Sequence, residues 1–95
     1  MGEAVWRHSD GVAFVDSTDR VVVLDLSLAE DEPRILSESG SAIWLAIDGH
    51  RSEVEVVAEI ARRYEIAPEL VEPDVAAFVA ELARLRLIVR VQPSA

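Results

Sequence analysis

The 95-residue sequence contains no cysteine and no lysine, since all nine of its basic residues are arginine. The absence of cysteine excludes disulfide bonds and metal sites built on thiolates. It also fits a reducing compartment, and we expect a cytoplasmic protein. Because 51% of the chain is hydrophobic, we expect one ordered domain over residues 1–95 with a modest core.

A long apolar run and an excess of positive charge are also missing. No segment approaches the roughly 20 apolar residues that cross a bilayer, and the first residues lack the pattern of a signal peptide. The net charge is −9, from 18 acidic and 9 basic residues. Such a surface repels nucleic-acid phosphates and anionic membranes. The sequence therefore predicts neither a nucleic acid nor a membrane as partner.

The first 26 residues have the composition of short strands separated by polar turns. We predict strands at 4–8, 12–15 and 20–26. Three short strands joined by tight turns form an antiparallel meander, with the third strand as a candidate edge. Residues 27–34 are acidic and contain Pro33, which indicates a loop.

From Ser37 onward, apolar residues recur at helical spacing. Ser37 is the predicted N-cap of a first helix, which ends at Asp48-Gly49 with Gly49 in a left-handed conformation. Ser52 and Glu55 form a predicted capping box at the start of a second helix.

Two prolines divide the rest of the chain. Because proline suits a first helical turn, we predict a short turn at 68–71 and a third helix at 73–86. Residues 87–91 form a short apolar end, either extended or trailing. The predicted fold class is α+β, with a three-stranded antiparallel sheet at the N-terminus packed on three α-helices.

The third predicted strand, RVVVLDL at 20–26, is apolar on both faces, since successive side chains of a strand point to opposite sides. The third helix carries a core stripe that includes Val75, Phe78 and Leu82, and a flank of small apolar residues beside it. One interpretation is that this flank packs against another helix. The other is that an edge strand and the flank form a groove for a peptide that adds as a further strand.

The groove hypothesis assigns peptide binding to residues of the third strand and the third helix. Asp25 and Arg86, at the margins, would select polar or charged positions of the peptide. The full predicted set is Val21, Val22, Val23, Leu24, Asp25, Leu26, Val75, Ala76, Val79, Leu82, Ala83 and Arg86.

An ordered set of motifs resembles a known family. The run RILSESGSAIWLAIDGHRSEVEVVAEIARRYEI, followed by DVAAFVAELARLRLI, is similar to PqqD-like domains, also called recognition elements for ribosomally made precursor peptides (RiPPs). The resemblance covers roughly residues 12–90. The matching positions are Ser37, Ala42, Ile43, Trp44, Asp48, Gly49, Val57, Glu59, Ile60, Asp74, Val75, Phe78 and Leu82.

The resemblance implies a winged-helix-like fold and a peptide-binding function. Such domains bind the leader segment of a precursor peptide as an extra strand on the third strand, against the third helix, while a separate enzyme modifies or cleaves the peptide. Ile43-Trp44 before the Asp-Gly turn is more similar to the discrete proteins of lasso-peptide pathways, which work with a leader peptidase. The alternative is a peptide carrier for pyrroloquinoline quinone biosynthesis.

The sequence contains no recognisable catalytic, metal or cofactor motif, and we predict that the protein is not an enzyme and binds no cofactor. His8 and His50 lie far apart, and the serines of SESGS form neither a nucleophile elbow nor a phosphate loop. A winged-helix DNA-binding regulator would need a basic recognition helix, whereas the third helix mixes both signs of charge. A homodimer through the apolar edge strand is a further alternative.

Overall fold

The structure, a computed structural model, describes residues 4–17, 20–26 and 32–91. Most of the predicted loop, residues 27–31, and part of the turn before β3 lie outside the described residues. The predicted α+β class, with a three-stranded antiparallel sheet and three helices, is confirmed. The elements in chain order are β1 Trp6–His8, β2 Val12–Asp16, β3 Val21–Asp25, β4 Arg34–Ile35, α1 Glu38–Ala46, α2 Glu53–Tyr64, α3 Pro68–Arg84 and β5 Ile88–Arg90.

The three-stranded sheet has the order β2-β3-β4, and all its pairs are antiparallel. β1 pairs instead with β5 in a separate two-stranded ribbon, with Trp6 opposite Arg90. The prediction that strands 4–8, 12–15 and 20–26 form one meander is therefore wrong for its first member. A strand pairs with whichever strand the fold brings beside it, and here the chain end after α3 returns to β1.

β3 is the central strand of the sheet, so the prediction that it is an edge is also wrong. Val22 lies opposite Ile35, and Val23 lies opposite Arg34, the last residue of the predicted loop at 27–34. Val21, Val23 and Asp25 are buried, whereas Val22 and Leu24 between them are half-buried. The two faces of β3 therefore have different neighbours.

The predicted N-caps of the first two helices are confirmed, whereas the C-cap of the first helix is Ile47 and not Gly49. Ser37 Oγ accepts the N–H of Gly40 at 3.0 Å, and Ser52 and Glu55 form the reciprocal capping box. α1 ends at Ala46, earlier than predicted, because Asp48 Oδ1 accepts the backbone N–H groups of the two residues after Gly49 and forms a separate turn. Gly49 has the expected positive φ of 86°.

α3 starts at Pro68 and continues through Pro73, so the predicted break between 68–71 and 73–86 is absent. Pro73 removes one helical hydrogen bond, which ordinarily kinks or ends a helix. Here Val71 and Val75, one turn apart on either side of it, are both buried in the same core. Their burial holds the two turns in line.

An aromatic cluster joins the ribbon, the sheet and α1. The His8 ring stacks on the Trp44 ring at 3.9 Å and 6°, and the Phe14 ring meets both rings edge-on. His8 Nε2 donates a hydrogen bond to the Trp44 carbonyl at 2.9 Å. Trp44 itself is fully buried. The three rings fill the space beside β2 at the end of α1.

Candidate functional site

The outer edge of β4 presents backbone groups that face away from the sheet. The Leu36 N–H donates to the Val21 carbonyl at 2.9 Å, so it points toward β3. Because backbone groups alternate along an antiparallel strand, the N–H and C=O of Ile35 point the other way. Within the described chain, β4 pairs with no strand other than β3. Ile35 therefore offers one donor and one acceptor at the margin of the sheet.

Pro33 fits this assignment of the edge. Two residues before Ile35, its nitrogen faces outward by the same alternation, and it has no N–H to offer. Proline within sheets is confined to edge strands and bulges for that reason. The proline that suggested a loop from composition is compatible with an edge strand.

An apolar cleft lies between α1, α2 and the first half of α3, and begins two residues after β4. Its volume is about 350 Å³. Ser37 lines one side, and Asp74, Val75 and Phe78 of α3 line another. The remaining lining residues are Ser39, Gly40, Ile43, Ile60, Tyr64, Ile66, Leu70 and Val71. The apolar cleft is mostly aliphatic and aromatic, with polar groups from two serines and one aspartate.

Charged residues connect β4 with α3. A hydrogen bond from the Arg84 guanidinium lowers the pKa of Glu81, and the positive charge of Arg34 lowers it further. Arg34, on β4, thus lies close enough to α3 to act on Glu81. These three residues form a charged border along the side of α3 that approaches the sheet.

The outer face of the sheet, on the side away from the helices, is also apolar. Cross-strand partners share a face of the sheet, and the register places Val15 opposite Val22 and Ala13 opposite Leu24. Ile35 lies opposite Val22 on the other side. Val15 is 65% exposed and Ile35 is 70% exposed. The outer face is therefore the less covered side of RVVVLDL.

The predicted peptide-binding residues do not come together at one open surface. Val21, Val23, Val75, Val79 and Leu82 are buried in the core. Among the twelve predicted residues, Val75 alone also lines the apolar cleft. A peptide at the others, including Ala76, Ala83 and Arg86 on α3, stays a prediction. The backbone between Val21 and Val23 is flanked by strands on both sides.

Several residues of the apolar cleft were missed by the sequence analysis. Phe78 was assigned to the core stripe alone. Ile66 lies in the connection between α2 and α3, and Leu70 lies in the first turn of α3, in the stretch that was predicted as a short turn at 68–71. The signal available was an apolar residue on either side of Pro68, which is unusual for a polar connection.

No histidine metal site is present within the described ranges. His8 belongs to the aromatic cluster, and the described residues contain no group of three or more His, Cys, Asp or Glu that could hold a metal ion. The described helices are also too short or too polar to cross a bilayer.

A three-stranded antiparallel sheet and three helices are consistent with the winged-helix-like α+β fold of RiPP recognition elements. The family model for coenzyme PQQ synthesis protein D (PqqD) matches residues 20–88. The chain belongs to the PqqD family. No curated protein matches the sequence closely enough to count as a relative.

Three solved structures share the fold. TbiB1, in complex with the TbiA(beta) leader peptide, is 28% identical with a TM-score of 0.77, covering 92% of this chain and 99% of TbiB1. Lasso peptide synthetase B1, complexed with its leader peptide, is 21% identical with a TM-score of 0.75, covering 90% and 99%.

The third structure is the PqqD truncation of Methylobacterium extorquens PqqCD, a stand-alone RiPP recognition element. It is 23% identical with a TM-score of 0.70, covering 90% of this chain and 89% of that one. The structures therefore agree on the fold across nearly the whole chain.

Proposed function

We propose that this chain is a non-catalytic adaptor that binds the leader segment of a ribosomally made precursor peptide. The leader adds as an antiparallel strand to the outer edge of β4, and some of its side chains enter the apolar cleft. The observation that carries the proposal is the outward-facing backbone of Ile35, two residues before Ser37, which lines the apolar cleft.

At this edge, the backbone contacts and the side-chain contacts have different roles. The outward N–H and C=O of Ile35 bond one leader residue at both its groups, as in any antiparallel pair. Pro33 adds only an acceptor, so the pairing is short. A short backbone pairing gives little selectivity, and the apolar cleft supplies it by accepting a large apolar side chain.

The solved structures support a leader peptide as the ligand, since TbiB1 and lasso peptide synthetase B1 were both solved with leader peptides. We favour a lasso-peptide pathway as the setting because Ile43-Trp44 before the Asp-Gly turn is more similar to the discrete proteins of those pathways. The alternative is a carrier of the pyrroloquinoline quinone precursor, in keeping with the family description.

The adaptor presents the bound leader to a separate maturation enzyme, a leader peptidase in the lasso setting, in the cytoplasm. The outer face is the surface that we assign to this enzyme, because it is apolar and shares Ile35 with the peptide-binding edge. A second copy of the chain is a poor occupant, since each copy carries a net charge of −9. A homodimer through strand 20–26 requires that strand to be an edge, whereas β3 has a neighbouring strand on both sides.

A DNA-binding function has little support. α3 would be the recognition helix of a winged-helix regulator, and its second half pairs Arg84 with Glu81. A carboxylate beside the arginine opposes contact with phosphate, as does the overall charge.

Titration calorimetry with the leader peptide encoded beside this chain's gene tests the proposal. Leu70 and Val54 are a matched pair of exposed apolar helix residues, and Leu70 alone lines the apolar cleft. We expect Leu70→Glu to weaken binding at least about tenfold, because a charge then borders the apolar cleft. Val54→Glu should leave the affinity unchanged. Equal effects of both substitutions, or a leader that does not bind, would contradict the proposal.

The outer face is tested with the maturation enzyme and the leader together. Val15→Arg adds a long charged side chain to the outer face, away from the apolar cleft. We expect it to abolish co-purification with the enzyme and to leave leader affinity unchanged. If Val15→Arg still co-purifies with the enzyme, the outer face is not its binding surface and the assignment is contradicted.

A further inference from the structure

Gly40, in the first turn of α1, lies in direct contact with Phe78 of α3. A Cβ atom at position 40 would lie 3.0 Å from Phe78 Cζ and 3.3 Å from Phe78 Cε1. It would also lie 3.0 Å from Ser37 Oγ. Contacts between carbon atoms are optimal at about 3.5–4.0 Å. A side chain at position 40 therefore requires the Phe78 ring to move by a few tenths of an ångström.

The backbone at position 40 does not itself require glycine. Gly40 lies inside α1, and the residues with positive φ in the described chain are elsewhere. Glycine inside a helix is less favourable than alanine. The position thus carries a local cost to helix stability, and the close approach of Phe78 is what the missing side chain permits.

Gly40 and Phe78 both line the apolar cleft. Phe78 is only partly buried, and it packs against the core from the side of the apolar cleft. A side chain at position 40 would push the outer end of this ring away from α1. Since the ring borders the apolar cleft, its displacement changes the space available there.

We infer that the Gly40–Phe78 contact sets the depth of the apolar cleft and so acts as a specificity-determining pair. With glycine at position 40, the Phe78 ring lies against α1 and the apolar cleft accepts a large apolar side chain. With alanine, the ring projects into the apolar cleft and restricts it to smaller groups. Ligand choice here rests on the proposed function, whereas cleft depth does not.

Benzene is a suitable probe of cleft depth, because dry apolar cavities bind it. Its binding can be followed by NMR shifts of the Ile43, Ile60 and Val75 methyl groups, which line the apolar cleft. We expect Gly40→Ala to bind benzene about tenfold more weakly than the wild type, the effect of one misplaced methyl group in an apolar pocket. Its melting temperature should stay equal or rise, because alanine favours the helix.

The double variant Gly40→Ala with Phe78→Leu is the control. Leucine is shorter than phenylalanine and leaves room for the new methyl group, so we expect benzene affinity to return to the wild-type range. Non-additivity of the two substitutions is the sign of direct coupling. Equal benzene affinity of the wild type and Gly40→Ala, or a loss that Phe78→Leu does not reverse, would overturn the inference.

The leader peptide distinguishes a failure of this inference from a failure of the proposed function. A leader that binds the wild type and Gly40→Ala equally well would support the proposed function and overturn the pair's role in specificity. If the benzene results hold and the leader does not bind, cleft depth is set as inferred and the proposed function fails. We expect Gly40→Ala to weaken the binding of a leader whose side chain in the cleft is large and apolar. The binding of a leader variant with alanine at that position should weaken less.

Discussion

β2 and β4 are the two edge strands of the same sheet, but different structures lie beside them. Just before β2, the Gly11 carbonyl accepts the N–H of Leu26, so alternate groups such as those of Phe14 and Asp16 face away from β3. On β4, Ile35 faces outward in the same way. The aromatic cluster packs against β2 through Phe14, and the apolar cleft begins at Ser37, two residues after β4.

This difference suggests what converts a sheet edge into a peptide site. Unpaired backbone groups are common to both edges and accept any extended chain. The apolar cleft, in contrast, offers a place for a side chain, which β2 lacks because Phe14, His8 and Trp44 pack together there. In the proposed complex, selectivity comes from the apolar cleft, and affinity comes from both the cleft and the backbone groups of the edge.

Proline substitutions at the two edges test the comparison most directly. Ile35→Pro removes the outward N–H without breaking a bond to β3, so we expect leader affinity to fall about 100-fold with little change in fold stability. Asp16→Pro removes the corresponding outward N–H on β2 and should leave leader affinity unchanged. Calorimetric titration measures the leader affinity of both variants. A larger loss of affinity for Asp16→Pro than for Ile35→Pro would place the peptide at the β2 edge and contradict the proposal.

The next largest effect that we expect is a loss of stability on Ser41→Ala, because Ser41 binds the start of β3, the strand between the two edge strands. Its hydroxyl oxygen accepts the N–H of Val21 at 2.8 Å, where both residues are buried. Ser41→Ala leaves this donor without a partner, and we expect a loss of about 1–3 kcal/mol in the free energy of unfolding. Ser39→Ala is the exposed control and should change it little. Urea unfolding monitored by circular dichroism measures the difference.

The parts of the fold that were predictable depend on local sequence. Ser37 and Ser52 cap helices through bonds to residues three positions away, so their roles follow from a few letters. The run RVVVLDL likewise predicts a strand, which is confirmed as β3, although its central place in the sheet was not predicted. Its neighbours were not predictable, because β4 has only two residues and shows no period to interpret.

The candidate site depends on contacts between distant parts of the chain. Trp6 pairs with Arg90 and Gly40 touches Phe78 across 38 positions, and neither contact has a local signal. The apolar cleft combines residues of α1, α2 and α3, whose relative placement comes only with packing. The family resemblance predicted a peptide-binding domain with an added strand on the third strand, which the structure places at the centre of its sheet.

Phe14→Ala tests whether the aromatic cluster at the β2 edge serves stability alone. The Phe14 ring is 40% exposed and meets His8 and Trp44 edge-on. We expect a loss of about 2 kcal/mol in the free energy of unfolding, less than for a fully buried phenylalanine. Leader affinity should be unchanged at temperatures where the variant is folded. A selective loss of leader affinity would show that the β2 side takes part in binding.

The smallest effect we expect is a pH dependence of stability from His8. Burial lowers its pKa below the usual 6.5, opposed by the hydrogen bond to the Trp44 carbonyl and by the charge of Asp48. The folded state thus binds a proton more weakly than the unfolded state, so neutral His8 contributes stability fully above about pH 6.5, and this is lost as the pH falls through the lowered pKa.

Thermal melts between pH 8 and pH 5, above the range where carboxylates titrate, measure this contribution. Gln at position 8 keeps a donor for the Trp44 carbonyl and does not titrate, so His8→Gln should lose less stability over that range than the wild type. Leader affinity, compared at pH 7.5 and pH 5.5, should change no more in the wild type than in His8→Gln. A His8-dependent loss of leader affinity would couple the aromatic cluster to the β4 edge and remove the contrast between the two edges.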